Sequence, residues 1–206
     1  MKPNKLVYGV GINDADYVVE RKETISGVNG ERKQKLVWYC PYFRTWKGML
    51  QRCYSIAYQD RKPTYKGCSV STEWLTFSNF KSWMEKQQWE GGQLDKDLLF
   101  EGNKIYSSAT CVFVTQMVNS FINDSGASRG EWLIGVNWDK DRKKFLSRCC
   151  NPFSGKQENL GRFDCEQEAH QAWQVRKIEL THLLAAEQED PRVSKALIDR
   201  YMDYSN

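Results

Sequence analysis

The small, polar stretch NDSGASRGE at positions 123–131 separates two hydrophobic rhythms, and any fold of this chain must respect that change. Its serines, glycines and asparagine favour turns over helix or strand, so it reads as a boundary between residues 1–124 and 129–206. Ahead of it, the apolar residues recur mainly at helical spacing. Behind it, they alternate, turn twice and then return to a helical period.

In the first part, 6–20 (LVYGVGINDADYVVE) and 34–39 (QKLVWY) are rich in β-branched and aromatic residues and predict two strands around a polar segment. After Pro41, the spacing of Phe43, Trp46, Met49, Leu50 and Cys53 predicts an amphipathic helix with Arg44, Lys47 and Arg52 opposite. Thr72 is placed to cap a second helix carrying Trp74, Phe77, Phe80 and Met84 on one side. The segment 94–119, LDKDLLFEGNKIYSSATCVFVTQMVN, then predicts strand, hairpin, strand and helix. Asp95 and Asp97, two apart, are expected on one strand face.

In the second part, the alternating residues from Trp132 turn at DKDRKK and again at Ser154-Gly155, predicting three antiparallel strands. Asp164 opens a long helix expected to bury Ala169, Ala172, Trp173, Leu180, Leu183 and Leu184, with Val175 or Arg176 beside them. Asp190-Pro191 starts a last helix, an acidic helical tail. The class implied is α+β: strands and helices with a ββα unit, then a three-stranded antiparallel sheet packed on one helix.

Charge is distributed unevenly. Residues 129–162 hold eight Lys or Arg against four Asp or Glu, whereas 163–206 hold five against nine. A basic stretch backed by an acidic helix suits a polyanion-binding face, although an ordinary surface with uneven charge gives the same count. The first residues form no long apolar run after their lysines, so neither a secretion signal nor a membrane span is expected, and the cytoplasm is the expected compartment, a host cell's if the gene is phage-borne. The seven cysteines contain no C-x-x-C pair, and buried thiols in a reducing compartment are expected in place of a zinc site.

Several ordered motifs resemble phage-type HNH homing endonucleases. They are Trp46, Met49, Arg52, Cys53 and Tyr54; then Gly67, Val70, Trp74, Phe77 and Phe80; then Asp95-Lys96, Tyr106-Ser107, Cys111 and Asn119, spanning about residues 40–120. The second half is similar to Apetala-type (ethylene-response-factor) DNA-binding domains through Gly135-Val136, Lys144-Phe145, Leu160-Gly161, Phe163, Glu168-Ala169 and Ala172-Trp173.

The first resemblance implies a site in which Asp95, Asp97 and Asn119 hold Mg²⁺ or Mn²⁺ through hard oxygen donors. On this resemblance Asp95, Lys96, Asp97 and Asn119 are the catalytic positions. Relatives place a histidine as general base beside the acidic ligand, where this chain has Lys96 if the ligand is Asp95 and Leu98 if it is Asp97. The chain's two histidines, His170 and His182, lie in the other half, and Thr110 stands where relatives have a hairpin asparagine. An Asp95–Lys96–Asp97 surface charge cluster is the alternative. The second resemblance implies duplex DNA contact by Trp138, Lys140, Arg142, Lys143, Lys144, Arg148, Lys156 and Arg162, with Trp138 either on the DNA or in the core. Three functions are therefore open. They are a phage or mobile-element DNA-binding protein on an HNH-like scaffold, an active metal-dependent endonuclease, and a phage factor that inhibits a host protein.

Overall fold

The computed structural model of the chain describes residues 6–26, 31–123 and 131–202. Most of the expected boundary at 123–131 lies outside the described residues. The fold is α+β, with six helices, two-stranded pairings and one three-stranded antiparallel sheet among the described residues.

The N-terminal strand pair exists, but its first member is displaced. β1 is Glu20–Ser26 and β2 is Arg32–Tyr39, so the polar segment expected to link two strands is itself largely strand. The earlier apolar stretch fails to extend because Tyr8 and Gly9 both take positive φ, and the chain reverses between Val7 and Gly11. α1, Pro41–Tyr54, starts on proline and buries Phe43, Trp46, Met49, Leu50 and Cys53, as their spacing predicts. It is followed by the short α2, Ile56–Arg61, and by β3, Ser69–Val70.

The expected second helix is divided. A 3-10 turn at Thr72–Leu75 precedes α3, Phe77–Met84. Ile12 causes the break: its N–H donates to the Leu75 carbonyl and its carbonyl accepts from Phe77 N–H, drawing the backbone at Thr76 into a bridge. Trp46, Trp74, Phe77 and Phe80 are almost wholly buried, and the Trp46 indole N–H donates to the Trp74 carbonyl at 2.7 Å. A Cβ on Gly11 would lie 2.4 Å from Leu50 Cδ1, so this approach admits no side chain.

Two compact units result, residues 1–90 with 100–111, and 91–99 with 112–206. This division is not the linear one expected at 123–131. The first unit contains β1–β3, α1–α3 and β5 (Ile105–Tyr106), which pairs parallel to β3. The second contains β4 (Gln93–Asp95), β6 (Val112–Val114) and α4 (Gln116–Ile122). It also holds β7 (Val136–Asp139), β8 (Lys144–Asn151), β9 (Lys156–Phe163), α5 (Glu166–Ala186) and α6 (Pro191–Met202).

One core unites that second unit: Leu98, Val112, Val114, Val118, Phe121 and Ile122 pack in the same cluster as Cys149, Trp173, Leu180 and Leu197. The buried face of α5 is Ala169, Trp173, Lys177, Leu180, Thr181, Leu184 and Ala185. Leu183 and Val175, expected inside, are exposed, and Lys177 occupies the stripe because its position follows Trp173 by four. Cys149 is buried and Cys150 exposed, as alternation along a strand requires.

Candidate nucleic-acid interface and the acidic ββα segment

β4 pairs antiparallel with β6, Gln93 opposite Val114 and Asp95 opposite Val112, and α4 follows at once. The Thr115 hydroxyl accepts from Val118 N–H and caps that helix. The segment is therefore a strand pair leading into a helix. Gln93 and Asp95, two apart on β4, share a face, and Asn119 donates its amide to Gln93 Oε1, which places Asn119 on that side. Gln93 in turn donates to Gln116 Oε1.

The expectation that Asp95 and Asp97 share a strand face does not hold. β4 ends at Asp95, whose Oδ1 accepts from the N–H groups of Asp97 at 2.9 Å and Leu98 at 2.7 Å. This aspartate turns the chain, and Asp97 follows in the bend. Lys96 is buried, and its ammonium lies 2.7 Å from Asp97 Oδ2. Burial raises the Asp95 carboxyl above the ordinary range, and the neighbouring Asp97 charge adds to it.

Asp95, Asp97 and Asn119 do not fit a hard divalent cation in this arrangement. One oxygen of Asp95 is committed to two backbone donors and a lysine ammonium sits on Asp97, while the Asn119 bond to Gln93 runs through its N–H and does not occupy its Oδ1. Among the described residues no group of three or more His, Cys, Asp or Glu is placed to hold a metal. No catalytic step is derived through one. Thr110 and Asn103, considered for the hairpin asparagine, both donate to the Ile105 carbonyl in the first unit.

The sheet presents the opposite case. β7, β8 and β9 pair in that order, with Trp138 opposite Phe145 and Phe145 opposite Phe163. Alternation puts Val136, Trp138, Phe145 and Ser147 on one side, and Asn137, Lys144, Leu146 and Arg162 on the other. Glu158 marks the first side as the one facing α5, since it binds the Arg176 guanidinium at 2.7 Å, and Arg176 with Asn151 holds its carboxyl down to about 2. Arg148, opposite Asn159, extends the second side. That side faces away from α5 and carries Lys144, Arg148 and Arg162, whereas Lys156, two residues before Glu158, falls on the α5 side at the start of β9.

The eight expected DNA-contacting residues do not form one set. Lys140, Arg142 and Lys143 occupy the β7–β8 turn, where Lys143 takes a φ of 51°. Asp139 binds both Arg162 (2.9 Å) and Arg142 (3.4 Å), and these contacts, the Arg162 hydrogen bond first, lower its carboxyl. Lys144 pairs with Asp164. Among the described residues Lys140, Lys143, Arg148 and Lys156 form no ion pair, and all four are exposed. Trp138 is divided between its two alternatives: its ring meets Phe145 at 4.8 Å and Trp132 at 6.2 Å on the α5 side, yet the residue is exposed and not part of the core. Arg52 of the first unit is no free cation either, since its Nε donates to the Tyr106 hydroxyl at 2.9 Å.

Sequence reasoning missed Gln93, although its place two residues before Asp95 was a signal for a shared face. It also missed Lys177, whose ammonium donates to the Phe121 carbonyl at 2.6 Å and lies 3.3 Å from the Phe121 ring centre. Lys177 and Trp173 line a cavity of about 500 Å³ that Arg148 and Cys150 also border. The chain significantly matches no protein-family model, no curated protein and no solved structure.

Proposed function

We propose that the protein binds duplex DNA through the side of the β7–β9 sheet turned away from α5, and that the β4–β6–α4 segment is the scaffold of a cutting site that no longer cuts. One observation carries this reading: Arg148 is exposed and forms no ion pair among the described residues, on the same side as Lys144 and Arg162. Lys140 and Lys143 extend the cationic surface at the β7–β8 turn. Side chains of this kind exchange counterions for phosphates, and an arginine can also read guanine through paired donors. The ion pairs to Asp139 pre-orient Arg162 and Arg142 while lowering the net charge they offer.

The test is a fluorescence-anisotropy titration of the full chain with duplex DNA over a salt series. Arg148→Ala with Lys140→Ala should lower the slope of log K against log salt by about 1.8, two contacts at ~0.9 each. No binding by the intact chain at low salt would overturn the reading.

A second reading, a Mg²⁺- or Mn²⁺-dependent endonuclease, is favoured by the antiparallel pair running directly into α4 with Asn119 on the Asp95 side. It requires Asp95 to exchange its backbone partners for a metal. Supercoiled plasmid incubated with either metal would then be nicked by the chain and left intact by Asp95→Ala. Absence of nicking by the intact protein removes this reading.

A further inference from the structure

The β1–β2 ribbon has no core. Every residue of β1 after Glu20 and every residue of β2 before Tyr39 is exposed, so neither ribbon face is covered. An isolated two-stranded ribbon is marginal in water, and this one exposes Ile25, Leu36, Val37 and Trp38 as well. Such an element gains order when a partner covers it. Its charge indicates which partner: Arg21, Lys22, Arg32, Lys33 and Lys35 stand against Glu20, Glu23 and the adjoining Glu31, with Glu20 bound by Lys47 at 2.8 Å and Lys22 at 3.4 Å, and Glu31 by Lys33 at 3.4 Å.

The register sorts these groups. Glu23 lies opposite Lys35 and Ile25 opposite Lys33, and Arg21, two residues before Glu23, lies opposite Trp38. One face therefore presents Arg21, Lys33 and Lys35 with Glu23, and Glu31 lies 3.4 Å from the Lys33 ammonium at its end. The Arg21 guanidinium lies 5.6 Å from the Trp38 ring centre, which fixes its direction and covers part of the indole. The other face holds Lys22 and Arg32 around a Gln34–Thr24 hydrogen bond.

We infer that this ribbon is a second DNA-contacting arm, inserted into the major groove with its Arg21–Lys33–Lys35 face toward the duplex. The groove is ~12 Å wide and admits a two-stranded ribbon. Seven residues at ~3.3 Å each give an arm of about 23 Å, long enough to follow the groove across several base pairs. A second copy of the chain is the poorer occupant, because two such faces would set like charges against each other. The inference rests on duplex DNA being the ligand, and it adds a contact that the sheet does not supply.

The test uses the full chain and three proteins: wild type, the sheet variant Arg148→Glu, and the ribbon variant Arg21→Glu/Lys33→Glu/Lys35→Glu. A neutral set, Arg21→Gln/Lys33→Gln/Lys35→Gln, guards against misfolding from charge reversal. Each is titrated with duplex DNA across a salt series, with methylation interference at guanine N7 to report the major groove. The ribbon variants should lower the salt slope by up to about 2.7, three contacts at ~0.9 each, and erase one patch of N7 interference that Arg148→Glu retains. Unchanged slope and interference in both ribbon variants would overturn the inference and leave the sheet reading standing. A loss in the ribbon variants with none in Arg148→Glu would uphold the arm and remove the sheet. A wild type that binds no duplex removes both. A change of mass by light scattering without a change in DNA binding assigns the ribbon to protein pairing and overturns the inference.

Discussion

The acidic segment at β4 and the basic sheet β7–β9 belong to the same compact unit, yet they use their charges in opposite ways. Asp95 is held by the local backbone, Lys96 by Asp97 and Asn119 by Gln93, and Lys96 is buried. Arg148, Lys140, Lys143 and Lys156 remain exposed without ion pairs among the described residues. The difference lies in what surrounds each segment. β4 leads into Leu98 and faces β6, and these with α4 supply core, so its polar groups must find partners inside. The sheet gives one side to α5, and on its other side Leu146 is buried while Asn137, Arg148 and Arg162 stand in solvent.

This contrast makes a severe test available. If the β4–β6–α4 segment is a core donor, residues 129–206 expressed alone lose Leu98, Val112, Val114, Val118, Phe121 and Ile122 from their cluster. Each large-to-small core truncation costs ~1–5 kcal/mol, and a domain's whole stability is ~5–15 kcal/mol, so the fragment should not fold. Circular dichroism melting and proton shift dispersion would show this. A cooperative melt of the fragment would mean that the sheet and its helices form a self-sufficient core, and the comparison would break.

A narrower disturbance comes next. Gly135 has a φ of +81°, and a Cβ there would stand 2.2 Å from the Trp173 ring. Gly135→Ala should cost about 2–5 kcal/mol, from the left-handed backbone together with overpacking. The shift of the urea midpoint measures it. A cost below ~1 kcal/mol would show that Trp173 moves aside easily.

How much of this was legible in the residues depends on what fixes each feature. The α1 face was readable because Phe43, Trp46, Met49 and Cys53 repeat at one period and nothing interrupts them. The three strands and α5 were readable from alternation and two turns. The split before α3 was not, since it depends on Ile12, more than sixty positions away, donating into the helix backbone. The shared face of Asp95 and Asp97 failed for a local reason, a side chain that ended its own strand. Most residues carrying the HNH resemblance, among them Trp46, Met49, Trp74, Phe77, Phe80, Tyr106 and Cys111, are buried. Their burial accounts for them as packing residues and leaves the chemistry open.

Trp138 sharpens the sheet side of the comparison. Its ring packs with Trp132 and Phe145, yet 37% of the residue is exposed, so both of its expected roles make distinct forecasts. Trp138→Ala should cost about 1–3 kcal/mol, less than a fully buried tryptophan, and leave the salt slope of DNA binding unchanged. Loss of DNA affinity at unchanged stability would return Trp138 to the contact surface.

The smallest effect expected is also the one that isolates Asp95. Asparagine there keeps the oxygen that accepts from Asp97 and Leu98 N–H but removes a buried charge beside Asp97. Because burial and Asp97 raise the folded carboxyl, its contribution to stability is fully present below the unfolded value and is lost as pH rises through the folded one. Asp95→Asn should therefore be slightly more stable than the parent at neutral pH, and the advantage should shrink as the medium is acidified through the carboxylate range. Urea midpoints of both proteins, compared from acid to neutral pH, measure this difference directly. A variant less stable at neutral pH would mean that the charge itself is being used, as a cation ligand or in a stronger pairing. The acidic segment would then resemble the basic sheet in keeping a charge available for a partner.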